Sequence, residues 1–314
     1  IRWLGKDLGG DMVLSRRAHG YSIGSPLYNL AVVIDDNFMK ITHIIRGEDH
    51  ISNTAKQILI YKALNYEIPI FAHTPLILNT EGKKLSKRDS VTSIDEFKEM
   101  GYLPEAFANY MVLLGWSLKS GEDEIQSLEK ISKIFELDDV NKAGAKFNWE
   151  KLNWINSQYI KNMESNDLLA IFIEYWKKKD WEPPSQEWGL KLTSLIQDSL
   201  IVLNDVVEQS EPFFISPEID QKGKDFLKND EINSYLKNII DLINKNNKII
   251  NTNSAKEIIE EIAKRYAIKK GMIMKSLRLA FFGRLSGPDL IESWVLLSEK
   301  GEDILRIKRA LDLI

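Results

Sequence analysis

The run Lys83-Lys84-Leu85-Ser86-Lys87-Arg88-Asp89 places four cations within six residues, around one small hydroxyl side chain. That arrangement can be brought to bear on a triphosphate. It lacks the glycine spacing of a Walker loop, so side chains rather than backbone N–H groups must hold the phosphates. A merely solvated basic loop has the same composition, and the surroundings must decide between the two. A second candidate for anion chemistry is Arg46, within Ile44-Ile45-Arg46-Gly47-Glu48-Asp49-His50. A guanidinium can read a carboxylate as a two-pronged fork, or close an ion pair with Glu48 or Asp49. Tyr28 offers a phenolic donor or a core aromatic. Asp49 suits either a ligand contact or the cap of a following helix. The histidines, His19, His43, His50 and His73, have no HxxxH or HExxH spacing, which speaks against zinc. With no cysteine there is no thiolate metal site and no disulfide.

These residues need elements to position them. Leu30-Ala31-Val32-Val33-Ile34 reads as a buried strand closed by the turn Asp35-Asp36-Asn37. A second strand spans Ile41 to Ile45. A helix follows, capped by Ser52 or Asn53, and a third strand covers about Phe71 to Leu78. Continuous apolar strands around a helix predict part of an α/β sheet. Ligands of such sheets sit beyond the carboxyl ends of the strands, where Arg46 through Asp49 fall. Beyond the basic loop the pattern turns helical. Ser93 to Glu96 forms a capping box and Gly101 a C′ residue. Pro104 opens a helix through Leu114, Ser127 begins another, and Asn148 caps a fourth carrying Leu152, Ile155 and Tyr159. From about 164 onward there is no strand signal. Ser165 starts a helix with Leu168, Phe172, Tyr175 and Trp176 on one stripe. Pro183-Pro184 precedes one long helix through about Glu208. Ser254-Ala255-Lys256-Glu257 reads as a further capping box, and the last helix starts near Asp303. Trp149, Trp154, Tyr159 and Trp176 have the helical spacing of core residues rather than of base-stacking platforms.

At 314 residues the chain suits two to four domains, and 44% hydrophobic with 28% charged residues is a soluble globular balance. No apolar run reaches the length of a membrane span. The lack of cysteine and of an apolar leader fits a cytoplasmic protein. The net charge of −4 lacks the overall basic bias of a nucleic-acid binder. Residues 253–314 nonetheless hold 12 Lys or Arg against 9 Asp or Glu, a local net of +3.

Taken in order, the pieces resemble the bacterial glutamyl-tRNA synthetase family of class I aminoacyl-tRNA synthetases. Leu27 to Asp36 looks like that family's amino-acid-binding strand, and Ile44 to His50 like its next strand and nucleotide loop. Lys84-Leu85-Ser86-Lys87-Arg88 is similar to the KMSKS signature. Leu103 to Ala106, Asn109-Tyr110 and Leu113 to Trp116 resemble the stem-contact region. Leu277 to Ala280, Gly283 and Gly287-Pro288 resemble the end of the anticodon-binding domain. The resemblance implies the second half of a Rossmann-like nucleotide-binding fold, then a mostly helical stem-contact domain and an all-helical anticodon-binding domain. Residues 1–22 would be the tail of an inserted acceptor-binding domain, 23–70 the Rossmann-like part, and 71–163 the stem-contact domain with the basic loop. Residues 164–225 and 226–314 would be two anticodon-binding subdomains.

It also implies a reaction. Glutamate attacks the α-phosphate of ATP, and the glutamyl group then passes to the 3′ end of tRNA(Glu). Lys84, Lys87 and Arg88 would supply positive charge where phosphate charge develops. Asp49, the backbone at Ile77, Lys84, Ser86 and Lys87 would bind ATP. Tyr28, Asn29, Val32 and Arg46 would bind glutamate, and His50 would pack or stack. Lys269, Lys270, Lys275, Arg278 and Arg284 are candidate phosphate contacts for tRNA. Mg²⁺ would accompany ATP, held mostly by its phosphates, and the protein would be a monomer. The family's HIGH-type motif is absent, and the chain opens on Ile1. A fragment unable to form adenylate alone is therefore expected, with a non-catalytic tRNA-binding module as the alternative. Residues 195–200 carry no basic side chain, which points to charging of both tRNA(Glu) and tRNA(Gln).

Overall fold

A computed structural model describes residues 10–17, 20, 24–79, 81–83, 93–118, 121, 123–246 and 250–313. The chain divides into two compact units, residues 1–94 with 107–152, and residues 95–106 with 153–314.

The first unit is built on helix–strand–helix–strand. Helix α1 spans Tyr28–Phe38, strand β1 His43–Gly47, helix α2 Ile51–Ala63 and strand β2 Ile70–Thr74. The expected strand at Leu30 to Ile34 is therefore corrected to a helix. Leu30 and Val33, three apart, share one helix face and pack with Ile60 and Tyr61 of α2. A short run of β-branched residues does not distinguish a strand from a buried helix, and here the packing decides. Strands β1 and β2 run parallel, as joining through α2 requires, with Arg46 opposite His73 and Gly47 opposite Thr74. The expected third strand is also corrected. It breaks at Pro75, which lacks the N–H a central strand needs. Its continuation, β3 at Ile77–Leu78, pairs in parallel with β4 at Ala145–Lys146 instead. Nor does Ser52 or Asn53 cap α2. A 3-10 turn, Glu48–His50, leads directly into it, and the capping position is His50. Helix α4, Pro104–Gly115, runs one residue beyond the expected stop and includes Gly115. Helix α5, Leu128–Ile134, is capped as read, by Ser127 Oγ accepting from the Lys130 N–H. Asn148 does the same for α6, Trp149–Lys161, by accepting from the Lys151 N–H at 3.0 Å.

Among its described residues the second unit contains helices alone. Helix α3, Ile94–Glu99, closes on Gly101 at φ +88°. The Gly101 N–H reaches Lys98 O at 3.0 Å and the Tyr102 N–H reaches Phe97 O at 3.1 Å, the paired bonds of a Schellman end. Helix α7, Ser165–Lys177, buries Leu168, Phe172 and Trp176 as its stripe predicts. The long helix expected up to Glu208 is two, α8 at Gln186–Ile196 and α9 at Asp205–Phe214. Between them the Asp205 carboxylate accepts from the Ile201 and Val202 N–H groups, an alternative to the helical ladder. Helices α10, Gln221–Leu227, and α11, Asp230–Asn246, lead to α12, Thr252–Tyr266. The capping box of α12 lies three residues earlier than expected, between Asn251 and Ser254. Asn251 wins because its short amide reaches two N–H groups at once, those of Asn253 and Ser254. Helices α13, Lys270–Phe282, α14, Leu290–Glu299, and α15, Asp303–Asp312, complete the unit.

Arg306 of α15, 1% exposed, donates Nη1 to Pro212 O at 2.5 Å and to Phe281 O at 2.8 Å. Lys300 donates to Phe213 O at 2.8 Å. Both cations thus meet the carbonyl-rich ends of α9 and α13, where a helix dipole favours positive charge.

Candidate functional site

The site grows from the carboxyl ends of β1 and β2. Register sets Arg46 beside His73, and Phe71, two residues back, lies on the same face. The guanidinium carbon sits 5.5 Å from the Phe71 ring centre. Helix α2 presents Thr54 and Gln57, one turn apart, to that face. Arg46 Nη2 donates to Thr54 Oγ1 at 2.5 Å and to Gln57 Oε1 at 2.8 Å. Gln57, fully buried, passes its own amide N–H to Asn29 Oδ1 on α1 at 3.0 Å. The Thr54 hydroxyl donates to His50 O and lies 2.9 Å from His73 Nε2. Burial first, and then the Arg46 and His50 charges, lower the His73 pKa from its ordinary 6.5. Two further bonds tie the strand ends: Thr74 Oγ1 donates to Arg46 O at 3.4 Å, and Leu76 N to Glu48 Oε1 at 3.3 Å.

The structure brings Asn29 and Arg46 into one network, with Gln57 between them. Arg46 is held by neutral side chains, not by the ion pair with Glu48 or Asp49 that was the alternative. Tyr28 is half exposed at the start of α1, its hydroxyl 3.5 Å from His50 Nδ1. This excludes the core-aromatic reading. His50 packs beside Tyr28 and also accepts from Asn53. Val32 lies partly buried on α1. Asp49 sits in the 3-10 turn with its carboxylate folded over Gly47, where a Cβ would lie 2.6 Å from Oδ1. A side chain at position 47 would push the Asp49 carboxylate aside. Ile77 lines an apolar cavity of about 260 Å³ with Leu76, Met111, Val112, Trp116 and Phe135. Lys84, Ser86, Lys87 and Arg88 lie outside the described residues. Thr54 and Gln57 were not legible as site residues, since polar residues three apart on a helix are an ordinary surface pattern.

The basic residues of the second unit separate by partner. Lys270 pairs with Glu260 at 2.5 Å and Arg284 with Glu208 at 3.7 Å. Arg278 donates to Gly287 O and Pro288 O at 3.2 and 2.9 Å. Lys269 and Lys275 are exposed. Trp176 is core, its Nε1 donating to Ser210 Oγ, whereas Trp154 is 42% exposed and departs from the core reading. No group of three or more His, Cys, Asp or Glu able to hold a metal occurs among the described residues. No described helix is long and apolar enough to cross a membrane.

Comparison with known proteins places this geometry. Residues 12–154 match the family described as tRNA synthetases class I (E and Q), catalytic domain, and residues 167–311 match an anticodon binding domain. A glutamate–tRNA ligase of Prochlorococcus marinus strain MIT 9312 is 65% identical over all of this chain, and one from strain NATL1A is 54% identical over 99% of it. The chain spans 66% of the length of each. The crystal structure of a glutamate tRNA ligase from Elizabethkingia meningosepticum, in complex with its amino acid, superimposes with a TM-score of 0.84 at 34% identity. It covers 92% of this chain, which spans 60% of that one. The glutamate-tRNA synthetase from Elizabethkingia anophelis gives 0.80 at 33% identity, over the same shares.

Proposed function

Because the chain belongs to the class I tRNA synthetases of the E and Q group, we propose that its activity is that of a glutamate–tRNA ligase. Glutamate attacks the α-phosphate of ATP to give glutamyl-adenylate and pyrophosphate, and the glutamyl group then passes to a ribose hydroxyl at the 3′ end of tRNA(Glu), releasing AMP. The observation that carries this reading is Arg46, a guanidinium held at the strand ends by neutral hydrogen-bond partners that do not offset its charge. The Asp36 carboxylate is close enough to feel its charge but takes no hydrogen bond from it among the described residues, which leaves a guanidinium N–H for a substrate carboxylate. Tyr28 and Asn29 stand on the same helix end, with Val32 one turn on, and complete the glutamate pocket. Asp49 and the Ile77 backbone take the adenosine part of ATP, and Lys84, Ser86, Lys87 and Arg88 its phosphates. Mg²⁺ would accompany ATP, with the phosphates supplying most of its oxygen ligands. Residues 164–225 and 226–314 read the anticodon, 71–163 the stem. Residues 195–200 carry Gln197 and Asp198 but no cation, which favours use of tRNA(Gln) as well as tRNA(Glu).

Aminoacylation with labelled glutamate tests this. Transfer of label to both tRNA(Glu) and tRNA(Gln) is expected from the full enzyme. Transfer to tRNA(Glu) alone would reject the dual specificity, and transfer to neither would reject the activity.

A further inference from the structure

A guanidinium has five N–H groups and two ways to grip a carboxylate as a fork. One uses Nη1 with Nη2 and the other Nε with Nη2, so both need a free proton on Nη2. In this site Nη2 has none: its two protons go to Thr54 Oγ1 and Gln57 Oε1. Nε is buried with no partner among the described residues. Nη1 alone remains for an incoming anion. Forming a fork would mean giving up the bond to Gln57, leaving its buried oxygen unpaired, or the bond to Thr54, whose hydroxyl would then keep His73 alone as a donor. The Gln57 amide cannot simply flip to release Arg46. Its nitrogen is engaged by Asn29 Oδ1, and a flip would set donor against donor at Arg46 and acceptor against acceptor at Asn29.

We propose that Gln57 and Thr54 are positioning residues that hold Arg46 by its Nη2 edge, so that it meets the substrate carboxylate through Nη1 as a single prong. The proposal rests on the reading of Arg46 as a glutamate contact. It corrects the two-pronged clamp expected from sequence and leaves the second carboxylate oxygen to other donors, such as the exposed Tyr28 hydroxyl on α1. It also ties α1 to the sheet through one amide, so that the pocket wall and the guanidinium move together.

The test is steady-state aminoacylation by the full enzyme carrying Gln57→Glu, Thr54→Val, Thr54→Ser or Arg46→Ala, with circular dichroism melts to confirm folding. Gln57→Glu sets an internal carboxylate against Arg46 and removes the charge the substrate needs. KM for glutamate should rise by about tenfold or more, the scale of one charge-assisted hydrogen bond removed. KM for ATP should stay within about twofold, because the perturbation is confined to the amino-acid pocket. Thr54→Val should raise KM for glutamate in the same way, and Thr54→Ser, which keeps the hydroxyl, should restore it. Should Gln57→Glu fail to fold, the Thr54 pair decides alone. Folded Gln57→Glu and Thr54→Val enzymes with wild-type KM for glutamate, while Arg46→Ala raises it, would overturn the positioning role. Wild-type KM in Arg46→Ala would instead sink the glutamate reading of the site itself.

Discussion

At the scale of single residues the site depends on where one charge is placed. Arg46 and His73 are register neighbours, so the guanidinium lies beside an imidazole that is already partly desolvated. Both effects disfavour the imidazolium. The Thr54 hydroxyl donates to His50 O, so His73 must carry its proton on Nε2 to donate to Thr54. An NMR titration should therefore place the His73 midpoint below 6.5, and Arg46→Gln should move it upward while His73 stays partly buried. A midpoint at or above 6.5 in the wild-type protein would contradict the geometry. The linkage has a definite sign. The folded pKa lies below the unfolded one, so the folded state binds fewer protons between the two. The full stability is present above pH 6.5 and is lost as pH falls from there through the depressed value. Arg46 was legible in sequence because a guanidinium at the carboxyl end of an apolar strand has few bland explanations. Its supports were not. Thr54 and Gln57 are eight and eleven residues away, and only the pairing of β1 with β2 under α2 brings them to one face.

At the scale of elements, several caps were legible from local chemistry, while the α2 cap, the start of α12 and the break at Pro75 were local features misread, and other misses followed from packing. Ser127, Asn148 and Gly101 acted as read, since a cap or a left-handed turn is decided within four residues. The run Leu30 to Ile34 was not decided locally. Its β-branched residues favour a strand, and a single apolar face against Ile60 and Tyr61 overrides them. The helix read through Glu208 failed for a similar reason: Gln197 turns its amide into the carbonyls of Ile160, Lys161 and Met163, the run tightens to a 3-10 turn through Ser199, and Asp205 takes the N–H groups beyond it. Gly101 joins two of these elements. Its carbonyl accepts from the Leu203 N–H, and a Cβ there would lie 2.7 Å from Asn204 N. Gly101→Ala meets both a positive φ and a backbone clash, at a cost of about 1–3 kcal/mol or more. A fall of about 4 °C or more in the melting midpoint of the second unit is expected. A midpoint unchanged within 1 °C, roughly the resolution of the melt, would mean that α3 does not close on α9 as described.

At the scale of the whole molecule, a net charge of −4 gives no overall attraction for RNA, so on the proposed reading affinity for tRNA rests on local groups of cations. Three of the five basic candidates near the C-terminus have structural employment: Lys270 with Glu260, Arg284 with Glu208, and Arg278 with the carbonyls of Gly287 and Pro288. Binding a phosphate would make Arg278 give up backbone carbonyls, whereas the exposed pairs of Lys270 and Arg284 exchange at little cost. Sequence could not make this distinction, since an exposed lysine and a paired one are the same letter. Lys269 and Lys275, both exposed, have no ion pair or side-chain hydrogen bond among the described residues. If the tRNA reading holds, the double change Lys269→Ala, Lys275→Ala should weaken tRNA binding. It should also flatten the dependence of log affinity on log salt by about 0.7–0.9 for each phosphate that is no longer neutralised. Arg278→Ala should lower the melting midpoint and leave that slope unchanged, because its hydrogen bonds are internal. A slope unmoved by the double lysine change would remove this face from the tRNA-binding surface, whereas a slope flattened by Arg278→Ala would show that the carbonyl bonds give way to phosphate when tRNA binds.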